Sequence, residues 1–362
     1  MTTTAVNIDR SRRMVGRVQS VKRGAASHFF RISIERNVMK PSLHTIWLAG
    51  VFAAAMPVLA VADLVILPDA KFAPEGISSD ADGNLYVGSL TQGRLIEIAA
   101  NTHEVTDFAV AGANGMVTVV GLHVEKDRLF VCSSDPGISG LTGTAAPALV
   151  AFDVATARPS GRYPLPEGGA FCNDIAALPD GTILTTDSFA PRIYALKPGV
   201  DHLEIWLDDD RFAADGFNLN GIAYDDGAVF VARYNTGTLH QIEIGSDGGA
   251  GQVTDLAMPR EIHGADGLTA LGNGRFLLVE GGGLHAGARG ALWGVNIVDG
   301  TVTFDEIATD LNVPTTATVV GTTAYVVEGQ LDHLFDADAA GPADPYRILS
   351  IELPEAYREG LR

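Results

Sequence analysis

Four residues with oxygen-bearing side chains recur at one position of an internal repeat, where together they could bind a metal ion. They are Glu75, Asn173, Asn220 and Asp266. Two carboxylates and two amide carbonyls are hard ligands of the kind that calcium prefers, and this position carries none of the His or Cys that zinc or copper would favour. A single Asn or Asp at such a place is also typical of a turn. The indication of a calcium site therefore comes from the coincidence of all four.

The repeat that carries these residues predicts the fold. Each copy has an apolar strand, a tight turn, a second strand ending in a polar residue and a third strand of the form L-x-x-I. Asp-Gly or Asn-Gly pairs such as Asp226-Gly227 and Asn273-Gly274 are typical of hairpin turns. Six copies of near-constant length favour an all-β, six-bladed β-propeller over a β-sandwich. The copies begin at Gly76, Gly121, Asp174, Gly221, Gly267 and Thr316.

Each blade needs a fourth, outer strand, and the last copy has none before the chain ends. The segment Asp63–Leu67 (DLVIL) has the composition of such a strand. We therefore predict one domain over residues 63–362, a propeller closed by the N-terminal strand pairing into the last blade.

The N-terminal region differs from the rest of the chain. Residues 1–38 are rich in Arg and are interpreted as an over-extended start, with translation beginning at Met39. Residues 39–62 have a short polar lead, an apolar run and the small residues Ala60-Val61-Ala62, which is the pattern of a signal peptide cleaved after Ala62. The expected location is periplasmic or secreted. An organelle-targeting segment and an uncleaved anchor are the alternatives.

Charge and cysteine content restrict the partners. Residues 1–62 carry nine basic and two acidic side chains, so their removal lowers the net charge from −19 to −26. Such an acidic chain disfavours nucleic acid and, once the signal is cleaved, membranes, and it leaves a small-molecule substrate as the expected partner. Cys132 and Cys172 could pair in an oxidising compartment or stay as buried thiols.

Four motifs around the candidate ligands resemble the SMP-30/gluconolactonase/LRE family of calcium-dependent six-bladed propellers, which is related to diisopropylfluorophosphatase and paraoxonase. The motifs are Pro74-Glu75-Gly76, Phe171-Cys172-Asn173-Asp174, Leu219-Asn220-Gly221-Ile222-Ala223 and Gly264-Ala265-Asp266-Gly267. The resemblance implies one catalytic calcium on Glu75, Asn173, Asn220 and Asp266. Gly76, Gly267 and Thr269 stand where related proteins have polar groups for a second ion, so little supports a second calcium.

The expected activity is hydrolysis of a lactone by an exported enzyme. The ion would polarise the carbonyl, and Asp266 or Asp174 would activate water. A second polar ring ends the second strands, and we expect it to bind a polyhydroxylated substrate. Its residues are Ser133, Asp187, Arg233, Glu280 and Glu328, together with Ser89. The alternatives are a phosphotriesterase-type hydrolase and a non-catalytic ligand-binding or sensing propeller with a structural calcium. No Gly-x-Ser-x-Gly or nucleotide-binding motif is present, which disfavours a serine hydrolase or an NTPase.

Overall fold

The structure, a computed structural model, describes residues 61–166, 170–339 and 343–361. The predicted start at Met39 and nearly all of the predicted signal peptide lie outside the described residues. Among the helices described, none has the length and apolar character needed to cross a membrane.

The described chain is all-β, and its strands form six four-stranded antiparallel sheets, as the repeat predicts. Five of the sheets each use four consecutive strands. The first blade consists of β2 (Pro74–Ser79), β3 (Leu85–Ser89), β4 (Leu95–Ile98) and β5 (Val105–Ala109). The second consists of β6 (Leu122–Glu125), β7 (Arg128–Ser133), β8 (Ala148–Asp153) and β9 (Pro159–Pro164). The third consists of β10 (Cys172–Ala177), β11 (Ile183–Asp187), β12 (Arg192–Leu196) and β13 (Glu204–Asp208).

The remaining blades follow the same order. The fourth consists of β14 (Leu219–Asp225), β15 (Ala228–Arg233), β16 (Thr238–Ile244) and β17 (Ala250–Asp255). The fifth consists of β18 (Ala265–Gly272), β19 (Arg275–Glu280), β20 (Gly290–Val298) and β21 (Thr301–Leu311). The sixth consists of β22 (Pro314–Val320), β23 (Thr323–Glu328), β24 (Arg347–Glu352) and β1 (Val61–Ile66). Short helices occur at Ala113–Gly115, Asp210–Phe212, Asp332–Phe335 (α1) and Glu355–Tyr357.

The N-terminal strand β1 pairs with β24 as the outer strand of the sixth sheet, with Val65 opposite Ile348. It begins at Val61, two residues before the predicted mature start at Asp63. Whether this pairing closes the ring, as the sequence suggests, stays a prediction.

Turn chemistry and apolar contacts between blades hold the sheets in place. Asp226-Gly227 and Asn273-Gly274 have positive φ at both residues, as a type I′ hairpin requires. Between blades, the buried rings of Phe230 and Phe276 lie 4.7 Å apart. Contacts of this kind between neighbouring sheets position the six innermost strands that carry the candidate site.

Candidate metal centre

The four predicted ligands occupy equivalent places in four blades. Glu75, Asn173, Asn220 and Asp266 are each the second residue of the innermost strand. In each case the pairing register shifts between the first and fourth residues of that strand. The innermost strand advances by three residues there while its neighbour advances by two. This is a β-bulge, which turns a side chain out of the regular alternation. The bulge is a local reason for these side chains to leave the sheet.

The innermost strands approach one another closely just after the candidate ligands. A Cβ on Gly76 would lie 2.0 Å from the Val120 carbonyl oxygen, so this position accepts no side chain without movement. In the next blade, the Gly121 N–H donates a hydrogen bond of 2.7 Å to the Asn173 carbonyl oxygen. The ring of ligand positions is therefore held by direct contact between backbones.

All four predicted ligands line one cavity. The centres of water-sized molecules can occupy about 40 Å³ of the cavity. All of its empty space, including open solvent at the mouth, amounts to about 430 Å³. The smaller volume suffices for an ion with water, since one water needs roughly 10–15 Å³ on that measure. The structure thus brings together the four residues that the repeat had placed at one position.

The two carboxylates of the ring are poorly satisfied by the protein. Glu75 is 7% exposed and Asp266 4% exposed, and Glu75 Oε2 and Asp266 Oδ1 are buried with no hydrogen-bond partner. Buried oxygens of this kind are rare and costly unless an ion or water satisfies them. Among the described residues, no three or more His, Cys, Asp or Glu side chains are grouped to hold a metal. The centre instead offers two carboxylates and two amides, a donor set that fits calcium.

None of the described residues that line this cavity has a cationic side chain to balance the two carboxylates. Burial, and then the charges of Asp266 and Asp174, raise the pKa of the Glu75 carboxyl well above its usual range. Burial and the charge of Asp174 likewise raise the pKa of Asp266, although a hydrogen bond from Asn220 acts in the opposite direction. A divalent cation would lower both pKa values, because its charge stabilises the ionised form of each carboxylate.

Asn173 is oriented by a short hydrogen-bond chain. Its Nδ2 donates to Ser188 Oγ at 2.9 Å, and that hydroxyl donates to the Leu219 carbonyl oxygen at 2.6 Å. With the side-chain amide nitrogen engaged in this way, the side-chain oxygen Oδ1 of Asn173 is the group left for a ligand in the cavity.

Asp174, the second predicted catalytic carboxylate, is not on the wall of this cavity. It lines a separate and larger cavity bounded by the innermost strands, about 260 Å³ in volume where the first cavity has about 40 Å³. Its Oδ1 accepts from the Ile175 N–H at 2.8 Å and its Oδ2 from the Ile222 N–H of the next blade at 3.1 Å. Burial raises the pKa of Asp174 to about 7, against the lowering effect of these two bonds. These contacts give Asp174 a bridging position between the third and fourth blades.

The polar ring expected to bind substrate lies outside the cavity that holds the candidate metal ligands. None of Ser133, Asp187, Arg233, Glu280 and Glu328 is among the described residues that line the cavity with the candidate ligands. In four of the five, the side-chain oxygen accepts a hydrogen bond from the backbone N–H of a residue just before its own blade's first strand. The pairs are Ser133 with Val117, Asp187 with Phe171, Glu280 with His263 and Glu328 with Asn312, at 2.7–2.9 Å.

Further contacts occupy the same side chains. Glu280 also pairs with Arg260 at 2.7 Å, and Glu328 pairs with Arg347. Arg233 donates to the Asn218 side chain at 3.3 Å and to the Arg211 carbonyl oxygen at 3.1 Å. The repeated pattern anchors the segment before the first strand in four of the six blades, so these residues are not carried into the proposed site.

An apolar wall, not predicted from the sequence, borders the ring of candidate ligands. Phe171, Phe217, Tyr234 and Phe335 line the cavity together with Leu284. Only Phe171 belongs to one of the four recognised motifs, and the others lie in connections between strands whose lengths differ between blades. His263 and His285 line a neighbouring cleft that shares Tyr234 and Leu284 with the cavity.

Cys132 and Cys172 form a disulfide, with Cα atoms 5.1 Å apart. It joins β7 of the second blade to β10 of the third. Because Cys172 directly precedes Asn173, the cross-link lies next to a candidate ligand and fixes the start of its strand.

The chain matches no family model and no curated protein. Many solved structures share its fold. A calcium-binding regucalcin from Agrobacterium tumefaciens is 16% identical, with a TM-score of 0.56 over 79% of this chain and 94% of the other. A gluconolactonase from Xanthomonas campestris is 16% identical, with a TM-score of 0.55 over 80% and 89%. A virginiamycin B lyase from Staphylococcus aureus is 13% identical, with a TM-score of 0.52 over 81% and 99%. These similarities establish the propeller fold, and the three activities show that the fold alone does not determine function.

Proposed function

We propose that this protein is an exported, calcium-dependent hydrolase of cyclic esters, with the ion held by Glu75, Asn173, Asn220 and Asp266. The observation that carries the proposal is the pair of buried, unpartnered carboxylate oxygens on Glu75 and Asp266, two residues that line one open cavity. The structural similarity to a gluconolactonase and a calcium-binding regucalcin supports the reaction class. The Cys132–Cys172 disulfide supports export, because disulfides persist mainly in oxidising compartments.

The residues of the cavity suggest how the reaction proceeds. Calcium, when bound, supplies Lewis-acid polarisation of an ester carbonyl. Asp266 has an unpartnered oxygen in the cavity, and as a general base it would take a proton from the attacking water.

Tyr234 supplies a donor to the same space. Burial, and then the charge of Asp266, raise the pKa of the Tyr234 phenol above its usual range. The phenol therefore stays protonated at neutral pH and can donate a hydrogen bond to the developing oxyanion.

The test is metal analysis and a lactone panel on the purified protein, with and without chelator. We expect one bound calcium per chain and hydrolysis that the chelator abolishes. Asp266→Asn should lose calcium and reduce kcat/KM by roughly 10²-fold or more. Asp201→Asn, which changes a fully exposed carboxylate, is the matched control and should behave as wild type. Full activity in Asp266→Asn, or wild-type protein without calcium affinity, would refute the proposal.

A further inference from the structure

The wall of the cavity carries information about the substrate that the metal ring does not. Apart from the four ring residues, the Tyr234 hydroxyl is the one polar side-chain group on this wall among the described residues. The other lining side chains are aliphatic or aromatic, and they include Ile138, Leu284 and Leu331. The polar side-chain groups of the site thus belong to the four ring residues and Tyr234.

The aromatic part of the wall is organised around Phe217. The Phe217 ring centroid lies 5.3 Å from that of Phe171, 6.1 Å from that of Phe335 and 6.3 Å from that of Tyr234. These separations lie within the range of favourable edge-to-face contacts. The rings form a connected surface that extends from the candidate ligand motif at Phe171 to the helix α1.

The surface reaches solvent at the cavity mouth. Phe335 is 38% exposed, and Phe189, which packs at 5.2 Å from Phe217, is 45% exposed. Exposed aromatic side chains beside a cavity are typical of a surface that a ligand covers.

Among the described residues, the cavity wall has few groups that could form hydrogen bonds with the hydroxyls of a sugar. Glu280, Glu328 and Asp187, the carboxylates first expected to bind them, are engaged with loop N–H groups or arginine side chains. A polyhydroxylated ring against this wall would leave hydroxyl groups desolvated and unpaired, which is unfavourable.

We propose that the substrate is an ester, most simply a lactone, that carries an alkyl or aryl substituent and no array of hydroxyls. This inference rests on the proposed function for the reaction, but its statement about the ligand can be tested alone. The carbonyl end lies at the ring of Glu75 and Asp266, and the apolar substituent packs against Phe217 and Phe335.

Binding of lactams tests the ligand class, since their amide bond resists hydrolysis. The probes are δ-valerolactam, its 6-pentyl derivative and D-glucono-δ-lactam, titrated by calorimetry into the calcium-loaded full chain. Each methylene that becomes buried should tighten binding about fourfold. We expect the pentyl derivative to bind at least tenfold more tightly than δ-valerolactam, and the hydroxylated lactam to gain nothing.

Two variants connect this preference to the wall. Phe217→Ala and Phe335→Ala should each reduce the pentyl preference severalfold, whereas Ile205→Ala should not. Ile205 is a suitable control because it is 46% exposed on β13 and is not part of the wall. Thermal unfolding of each variant establishes that it is folded, and Phe335 is the safer site because its ring is partly exposed.

The outcomes separate the two proposals. Alkyl-selective binding without hydrolysis of any lactone would refute the proposed hydrolase and support the ligand class. Tighter binding of the hydroxylated lactam, or a pentyl preference unchanged in both Phe variants, would overturn the inference even if lactones are hydrolysed.

Discussion

Gly221 lies so close to the backbone of Asp266 that a Cβ on it would come within 2.4 Å of the Asp266 carbonyl oxygen. The same Cβ would be 2.6 Å from the Leu268 nitrogen. Real side chains do not tolerate such contacts with backbone atoms, so the separation of β14 and β18 depends on a glycine here. Since Asn220 and Asp266 are both candidate ligands, this contact also determines the spacing of two donors.

Gly221→Ala should therefore damage both stability and the metal centre. We expect the free energy of unfolding to fall by roughly 1–3 kcal/mol or more, as for an overpacked interior, and calcium affinity to fall with it. Gly140→Ala is the control, because Gly140 has open space around its Cβ position and no positive φ. Urea unfolding and calcium titration measure the two effects. A stable Gly221→Ala protein would show that the strands can separate without cost.

Glu75→Gln should have opposite effects with and without calcium. In the absence of metal, burial and then repulsion from Asp266 and Asp174 raise the pKa of Glu75, so stability is lost as the pH rises above about 4.3, the ordinary pKa of a glutamate. The variant should therefore raise Tm in chelator at neutral pH, by roughly 1–4 °C.

With calcium at 100 times its Kd, the wild type should gain about 2.7 kcal/mol, and Glu75→Gln should gain little. Glu104→Gln, at an exposed position, is the control. Calorimetric scans in chelator and in calcium measure both effects, and a variant that is less stable than wild type in chelator would contradict the repulsion argument.

Removal of the disulfide should weaken the fold and the metal centre together. The cross-link spans 40 residues, and loss of such a native disulfide costs about 2–4 kcal/mol. In Cys132→Ala/Cys172→Ala we also expect weaker calcium binding, because Cys172 fixes the strand start next to Asn173. Reductant should lower the stability of the wild type and leave the variant unchanged. Equal calcium affinity in both proteins would show that Asn173 does not need the cross-link.

His240 should make stability fall under mildly acidic conditions. Burial lowers the pKa of this imidazole, although its 2.9 Å hydrogen bond to Asp255 acts in the opposite direction. The unfolded chain then binds a proton more readily than the folded one, so stability is lost as pH falls from about 6.5 towards the folded pKa. His240→Gln should flatten this part of the pH profile of urea unfolding. His202→Gln, at a well-exposed position, should leave the slope as in wild type.

The fold could be predicted from the sequence because each blade repeats the same turns and strand patterns. The sequence was also sufficient to align Glu75, Asn173, Asn220 and Asp266, since each occupies one register position on an innermost strand. It could not distinguish a polar strand end that anchors a loop from one that meets a ligand. Glu280 and Asp187 were therefore assigned to substrate, whereas their partners are N–H groups of neighbouring loops.

The aromatic wall could not be predicted from the sequence for a different reason. Phe217 and Phe335 lie in connections of unequal length, one before β14 and one in α1, so no repeat alignment brings them together. The pairing of Cys132 with Cys172 depends likewise on two blades being adjacent, which spacing along the chain does not reveal.

The cavity has two structurally separate parts, a ligand ring on the innermost strands and an aromatic wall contributed largely by loops. Strand positions such as Gly221 are fixed by backbone contacts, so few mutations there can persist. Residues of the connections between strands, such as Phe335 in α1, are free of that restriction. If the proposed function holds, descendants of this chain can therefore acquire new substrate preferences by replacement of these connections alone, and a protein engineer could exchange the α1 connection while the four candidate metal ligands are kept unchanged.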